Sequence, residues 1–103
     1  MNYRIVRTDK FNDQLYELLQ YIANDSGSKE TALNYLDELE KAISRLAEWP
    51  AIGSYPRYSI LRKQGYRVLI VKRHLIFYKV DDNNYEVVIH AIMDARRNYI
   101  AMI

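Results

Sequence analysis

Two helical-period stripes joined by one short turn constrain this chain more than any other feature. In the first, Phe11, Leu15, Leu18, Leu19 and Ile22 recur at helical spacing, with Asp13, Gln14, Glu17 and Gln20 between them. In the second, Ala32, Leu36, Leu39, Ile43 and Leu46 repeat at intervals of 4, 3, 4 and 3. Leu33, Tyr35 and Ala42 widen that stripe. The spacing predicts one helix ending near Asp25 and another stopped just past Trp49 by Pro50. "NDSGS" is the turn between them. Gly27 can take a left-handed conformation there, and Ser28 can cap the second helix. So short a link implies an antiparallel helical hairpin. The heptads are too few to favour a coiled-coil partner over core packing.

The rest of the chain changes period. "YRIVRT" (3–8) is short, β-branched and alternating, and reads as a strand, with Thr8 or Asp9 available to cap the helix that follows. "YRVLIVK" (66–72) and "HLIFYKV" (74–80) meet at Arg73, which predicts a tight hairpin. "DDNN" (81–84) is a turn signal before "YEVVIHAIM" (85–93). These strands are apolar on both faces in places, as strands covered by helices are. The expected order is β-α-α-β-β-β, an α+β fold. Between helices and strands lies "PAIGSYPRYSILRKQG", with no clear period, and a loop this long in a compact domain is often functional.

With 103 residues, half of them hydrophobic, the chain fits one domain with a real core. It has no cysteine, which excludes disulfides and thiolate chemistry. No stretch approaches the length of a membrane span, and none reads as a signal peptide, so a cytoplasmic protein is expected. The formal charge of +2 is unevenly spread. Residues 1–50 carry 6 Lys/Arg against 9 Asp/Glu, and residues 51–103 carry 9 against 4. From Arg57 to Arg73 the bases are Arg57, Arg62, Lys63, Arg67, Lys72 and Arg73, with no acid among them. Such a block attracts polyanions or an acidic protein partner, although a solvated basic surface is the commoner outcome.

Several chemistries drop out. There is no glycine-rich phosphate loop and no nucleophile elbow. The only histidines, His74 and His90, lie on separate strands without cysteine, which disfavours zinc. No cofactor is expected. Metal-free RNA cleavage remains open. It needs a base for the ribose 2′-hydroxyl, cations for the phosphorane and an acid for the leaving oxygen. His74, Tyr99, Arg73, Arg96, Arg97 and Lys72 are the right residue types. Each has a plainer reading: His74 as a hairpin-end residue, His90 as a core histidine, and Tyr66, Tyr78 and Tyr85 as packing residues.

The same stretches resemble the RelE/ParE superfamily of toxins from bacterial type II toxin–antitoxin modules. "YRIVRT" is similar to that superfamily's first strand, and "ALNYLDELEKAISRLAEWPAIGSYP" to its second helix. "IFYKV" and "ARRNY" are the most recognisable pieces of the three-stranded finish. The resemblance spans nearly the whole chain. It implies a helical hairpin on a twisted antiparallel sheet, a cognate antitoxin as partner and growth inhibition as outcome, with neither a membrane nor a small-molecule substrate involved. Its two branches differ in target. RelE-like members cut mRNA on the ribosome, and carry an arginine where Leu75 stands here. ParE-like members inhibit DNA gyrase, and often read His-Gly-Arg-Arg-Asp where this chain has "DARRN". The resemblance therefore leans to ParE, with Arg96, Arg97 and Tyr99 carrying the target contact and Arg62, Lys63 and Arg67 adding to it. For an RNA-cleaving member the set would be His74, Arg73, Arg96, Arg97 and Tyr99; a non-toxic binding module that keeps only the antitoxin interface is the third reading.

Overall fold

The computed structural model describes residues 2–96. Strand β1 (Arg4–Arg7) leads into helix α1 (Asp9–Ser26) and helix α2 (Lys29–Ser44), which tightens into a 3₁₀ turn over Arg45–Ala47. A short helix α3 (Ser59–Lys63) interrupts the long connection, and strands β2 (Tyr66–Val71), β3 (His74–Asp81) and β4 (Glu86–Asp94) follow. The order β-α-α-β-β-β is the one expected from periodicity. The helix within residues 50–65 is an addition, because five residues are too few to carry a visible helical period.

The helix ends follow local chemistry. Thr8 Oγ1 accepts the Phe11 N–H at 3.1 Å, and Ser28 Oγ accepts the Thr31 N–H at 3.2 Å, each satisfying an orphan donor. Gly27 closes α1 at φ 70°, a left-handed cap. Between β2 and β3 the turn places Lys72 at φ 52°, a conformation that side chains rarely adopt.

The sheet runs β1-β4-β3-β2. β2, β3 and β4 form an antiparallel meander, while β1 lies parallel to β4, so the sheet is mixed. One irregularity lies in the middle. Phe77 pairs with Ala91 but Tyr78 pairs with Ile89, which leaves His90 as the extra residue of a β-bulge.

The helical hairpin covers one face. Phe11, Leu15, Tyr35, Leu39, Ile43 and Leu46 pack on Ile76, Tyr78, Val87, Ile89 and Ile92. Each large side chain so buried contributes about 1.5–3 kcal/mol. Leu33, counted above with the stripe, is 62% exposed, because it sits on the outer shoulder of α2. The opposite face is covered only in part. There Leu61 of α3 packs on Val68, Phe77, Ala91 and Met93, with Tyr58, Tyr66 and Leu75 at the margin.

Candidate functional site

The candidate residues gather in two places. One is an open groove of about 1160 Å³ between the helical hairpin and the end of the sheet where β3 begins and β4 finishes. Its helical walls carry Glu17 and Asp25 from α1 and Tyr35 and Glu38 from α2. Its sheet side carries Lys72, Arg73, His74, Asp94 and Arg96, with Ile92 and Met93 beside them. Acids thus line the helices, and the strand ends carry Lys72, Arg73 and Arg96 with the single acid Asp94.

The centre of this groove is His74. It faces Asp94 across the β3–β4 ladder and Val71 across the hairpin. Tyr35 reaches up from α2, its hydroxyl 2.7 Å from His74 Nδ1 and 3.0 Å from the Val71 carbonyl. A hydroxyl has one proton. If Tyr35 donates it to Val71, Nδ1–H of His74 must donate to Tyr35, and Nε2 keeps its lone pair. Burial pushes the His74 pKa below 6.5 and outweighs the opposing pull of Asp94; Arg73 and Arg96 lower it further. His74 is therefore neutral at pH 7. Burial also raises the Tyr35 pKa, keeping the phenol a donor.

The cations are unequal. Arg96 grips Asp94 through Nε–Oδ1 at 3.1 Å and Nη2–Oδ2 at 3.0 Å, and its backbone N–H donates to Oδ1 at 2.8 Å. This fork holds the Asp94 carboxyl far below the usual range. Lys72 pairs with Glu38 at 3.2 Å. Arg73 forms no ion pair among the described residues. Of "MDARRNY", Met93 and Asp94 finish β4 and Ala95 and Arg96 form a turn. Arg97 and Tyr99 lie outside the described residues.

The second place is the connection between helices and strands. Arg62 donates to the carbonyls of Pro56 and Arg57 at 2.9 and 3.1 Å. Arg67 donates to the carbonyls of Ala51 and Gly53, and its guanidinium stacks 4.6 Å from the centroid of the Tyr55 ring. Both arginines thus hold the loop. Lys63 sits in the last turn of α3.

Arg62 and Lys63 belong to the helix under the opposite sheet face, so they do not join His74 and Arg73 in one site. Leu75, at the position where the resemblance places a catalytic arginine, packs against the apolar cluster of Leu61, Phe77 and Met93. Tyr78 is fully buried and Tyr66 half-buried, as packing residues are, whereas Tyr85 is 49% exposed and edge-on to Tyr3. His90 is half-buried at the bulge rather than sealed in the core. The sequence reading missed Tyr35 as a site residue. Its spacing marked it as part of a helical stripe, and nothing local announces a partner 39 residues on.

No group of three or more His, Cys, Asp or Glu side chains among the described residues is arranged to hold a metal ion. No described helix is long and apolar enough to cross a membrane.

Comparison with known proteins places this geometry. The chain is similar to solved structures of a chromosomal ParDE toxin–antitoxin system from P. aeruginosa (17% identity, TM-score 0.75, covering 91% of this chain and 97% of that one). It is similar to the RelBE2 toxin–antitoxin complex from Mycobacterium tuberculosis (19%, 0.61, 91% and 99%). It is also similar to an arginine-to-alanine double mutant of the E. coli toxin RelE in the free state (13%, 0.65, 99% and 93%). At these identities the likeness is one of fold. No curated protein matches the chain. The family model for the ParE toxin of the type II toxin–antitoxin system parDE matches residues 5–99. With nearly the whole chain matched, this protein belongs to the ParE toxin family of type II toxin–antitoxin systems.

Proposed function

We propose that this toxin stops growth by binding a cellular target rather than by cutting RNA, with DNA gyrase as the first candidate, and that a cognate antitoxin neutralises it. The observation that carries this reading is Leu75. An apolar side chain packed against Leu61 and Met93 stands where an RNA-cleaving relative would need a cation. In this reading Arg96, Arg97 and Tyr99 contact the target. Arg73, with no carboxylate of its own among the described residues, adds to them. Structural neighbours include toxin–antitoxin complexes, which supports an antitoxin as the protein partner.

Expression of the chain alone tests this. The expected outcome is arrested growth with intact mRNA and inhibited gyrase supercoiling, both relieved by truncation after Asp94. Unchanged supercoiling at high toxin concentration removes gyrase as the target.

One observation favours a second reading, a ribosome-dependent mRNA endonuclease. Tyr35 holds His74 with Nε2 available as a base beside Arg73. New 5′ ends inside codons within minutes of induction, lost in His74→Ala, establish that reading and sink the first.

A further inference from the structure

The sheet face opposite the helical hairpin is only partly covered by α3. Beyond that cover, three side chains from three strands stand together. Lys79 of β3 is paired in register with Tyr66 of β2, and its ammonium lies 4.5 Å from the centroid of the Tyr66 ring. The imidazole of His90, from β4, meets the same ring edge-on at 5.4 Å and 79°. All three residues are half-buried. His90 is also the bulged residue of β4, and bulges recur beside functional sites.

The charges in this cluster are unbalanced. Lys79 forms no ion pair among the described residues. The nearest acids in sequence are committed elsewhere. Asp81 accepts from the backbone of Asn83 and Asn84 and from the Asn84 amide. Glu86 pairs with Arg4. What bears on His90 is its burial and the positive fields of Lys79 and of Lys10 in the first turn of α1, all of which favour the neutral ring. Burial keeps the Tyr66 phenol protonated and able to donate.

An ammonium, a phenol and an imidazole are therefore gathered about one aromatic ring in a positive field, and none of the three side chains pairs with an acid among the described residues. We propose that Tyr66, Lys79 and His90 form a binding site for a phosphate group. A carboxylate has two acceptor oxygens. A phosphate presents more, with a larger charge, and so has an acceptor to offer each of the three donor types. The site lies across the sheet from the groove of His74, and does not depend on which target the toxin has.

Nuclear magnetic resonance of the full chain tests it. Inorganic phosphate and a hexathymidylate are titrated separately at fixed ionic strength, against sodium chloride as control. Saturable shifts at the His90 and Tyr66 rings, with His74 still, are expected. Lys79→Gln should weaken binding by about tenfold, the worth of one charge-assisted hydrogen bond, while Lys79→Arg keeps it. His90→Gln is the second variant, in case Lys79→Gln disturbs the fold. Saturation by inorganic phosphate identifies a site for an isolated phosphate group. Saturation by the oligonucleotide alone identifies the nucleic-acid backbone. Shifts that fail to saturate with either probe, or that persist unchanged in the Gln variants, overturn the proposal.

Discussion

The hydroxyl of Tyr35 lies 2.7 Å from Nδ1 of His74 and 3.0 Å from the carbonyl of Val71, so one phenol ties α2 to both sides of the β2–β3 turn. The tie fixes the imidazole and helps hold the turn that carries Lys72 and Arg73 against the helix. Lys72 reinforces it by pairing with Glu38 on α2.

Removing that hydroxyl should loosen the turn. Tyr35→Phe keeps the buried ring but leaves His74 Nδ1 and one acceptor site of Val71 unmet. The expected loss is about 1–2 kcal/mol, a fall of roughly 5–10 °C in Tm. Thermal denaturation followed by circular dichroism measures it. An unchanged Tm would show that water replaces the phenol at no cost.

Acid should weaken the fold. His74 and His90 both have pKa values lowered below 6.5 by burial. In the unfolded chain each takes a proton near pH 6.5, while in the folded chain each resists it. The contribution of the neutral rings is therefore present above about pH 6.5 and lost as pH falls through that value toward the folded pKa. Urea unfolding at pH 7.5 and 5.5 should show lower stability at 5.5. The double variant His74→Gln, His90→Gln should flatten that difference, and an equally steep slope in it would refute the assignment.

Gly53 should tolerate no side chain. A Cβ there would stand 2.5 Å from Tyr78 Oη and 2.7 Å from the Val68 carbonyl. The Gly53 N–H donates to that same phenol at 2.9 Å, giving the fully buried Tyr78 its partner. Gly53→Ala should cost about 1–3 kcal/mol by overpacking. A urea midpoint within error of the parent chain would contradict this.

Arg7 should not be replaceable by lysine. Its guanidinium makes two parallel bonds to Glu40, at 2.7 and 2.6 Å, and lies 5.8 Å from the centroid of the Phe11 ring. A lysine cannot reproduce the fork. Because the pair is partly exposed and screened by solvent, the expected loss for Arg7→Lys is modest, about 0.5–1 kcal/mol. It should shrink in the Glu40→Gln background, which a double-mutant cycle reads directly.

The elements that could be read from sequence are those whose chemistry is local. Thr8, Gly27 and Ser28 mark helix ends through their own backbone preferences, and the caps fall where those residues stand. The two stripes and the three alternating runs announce their periods within a dozen residues. What escaped is whatever depends on distant parts of the chain. Leu33 fits the stripe by spacing, but the tilt of α2 on the sheet decides its exposure. Arg62 and Arg67 look like free bases in sequence, yet they are spent on loop carbonyls that only the fold brings near. The groove draws residues from both long helices, the β2–β3 turn and the end of the sheet, and no one stretch of sequence contains it.

The parallel pairing of β1 with β4 also governs when this toxin comes into being. Arg4 meets its partner Glu86 only after 82 further residues have been made. At about 5–20 residues per second, the first strand waits roughly 4–16 seconds for its neighbour during synthesis. Until then the helical hairpin has no complete sheet to rest on, and neither the groove of His74 nor the bulge of His90 exists. For most of its own translation the chain thus lacks both sites, which take shape only once its last strand has been made.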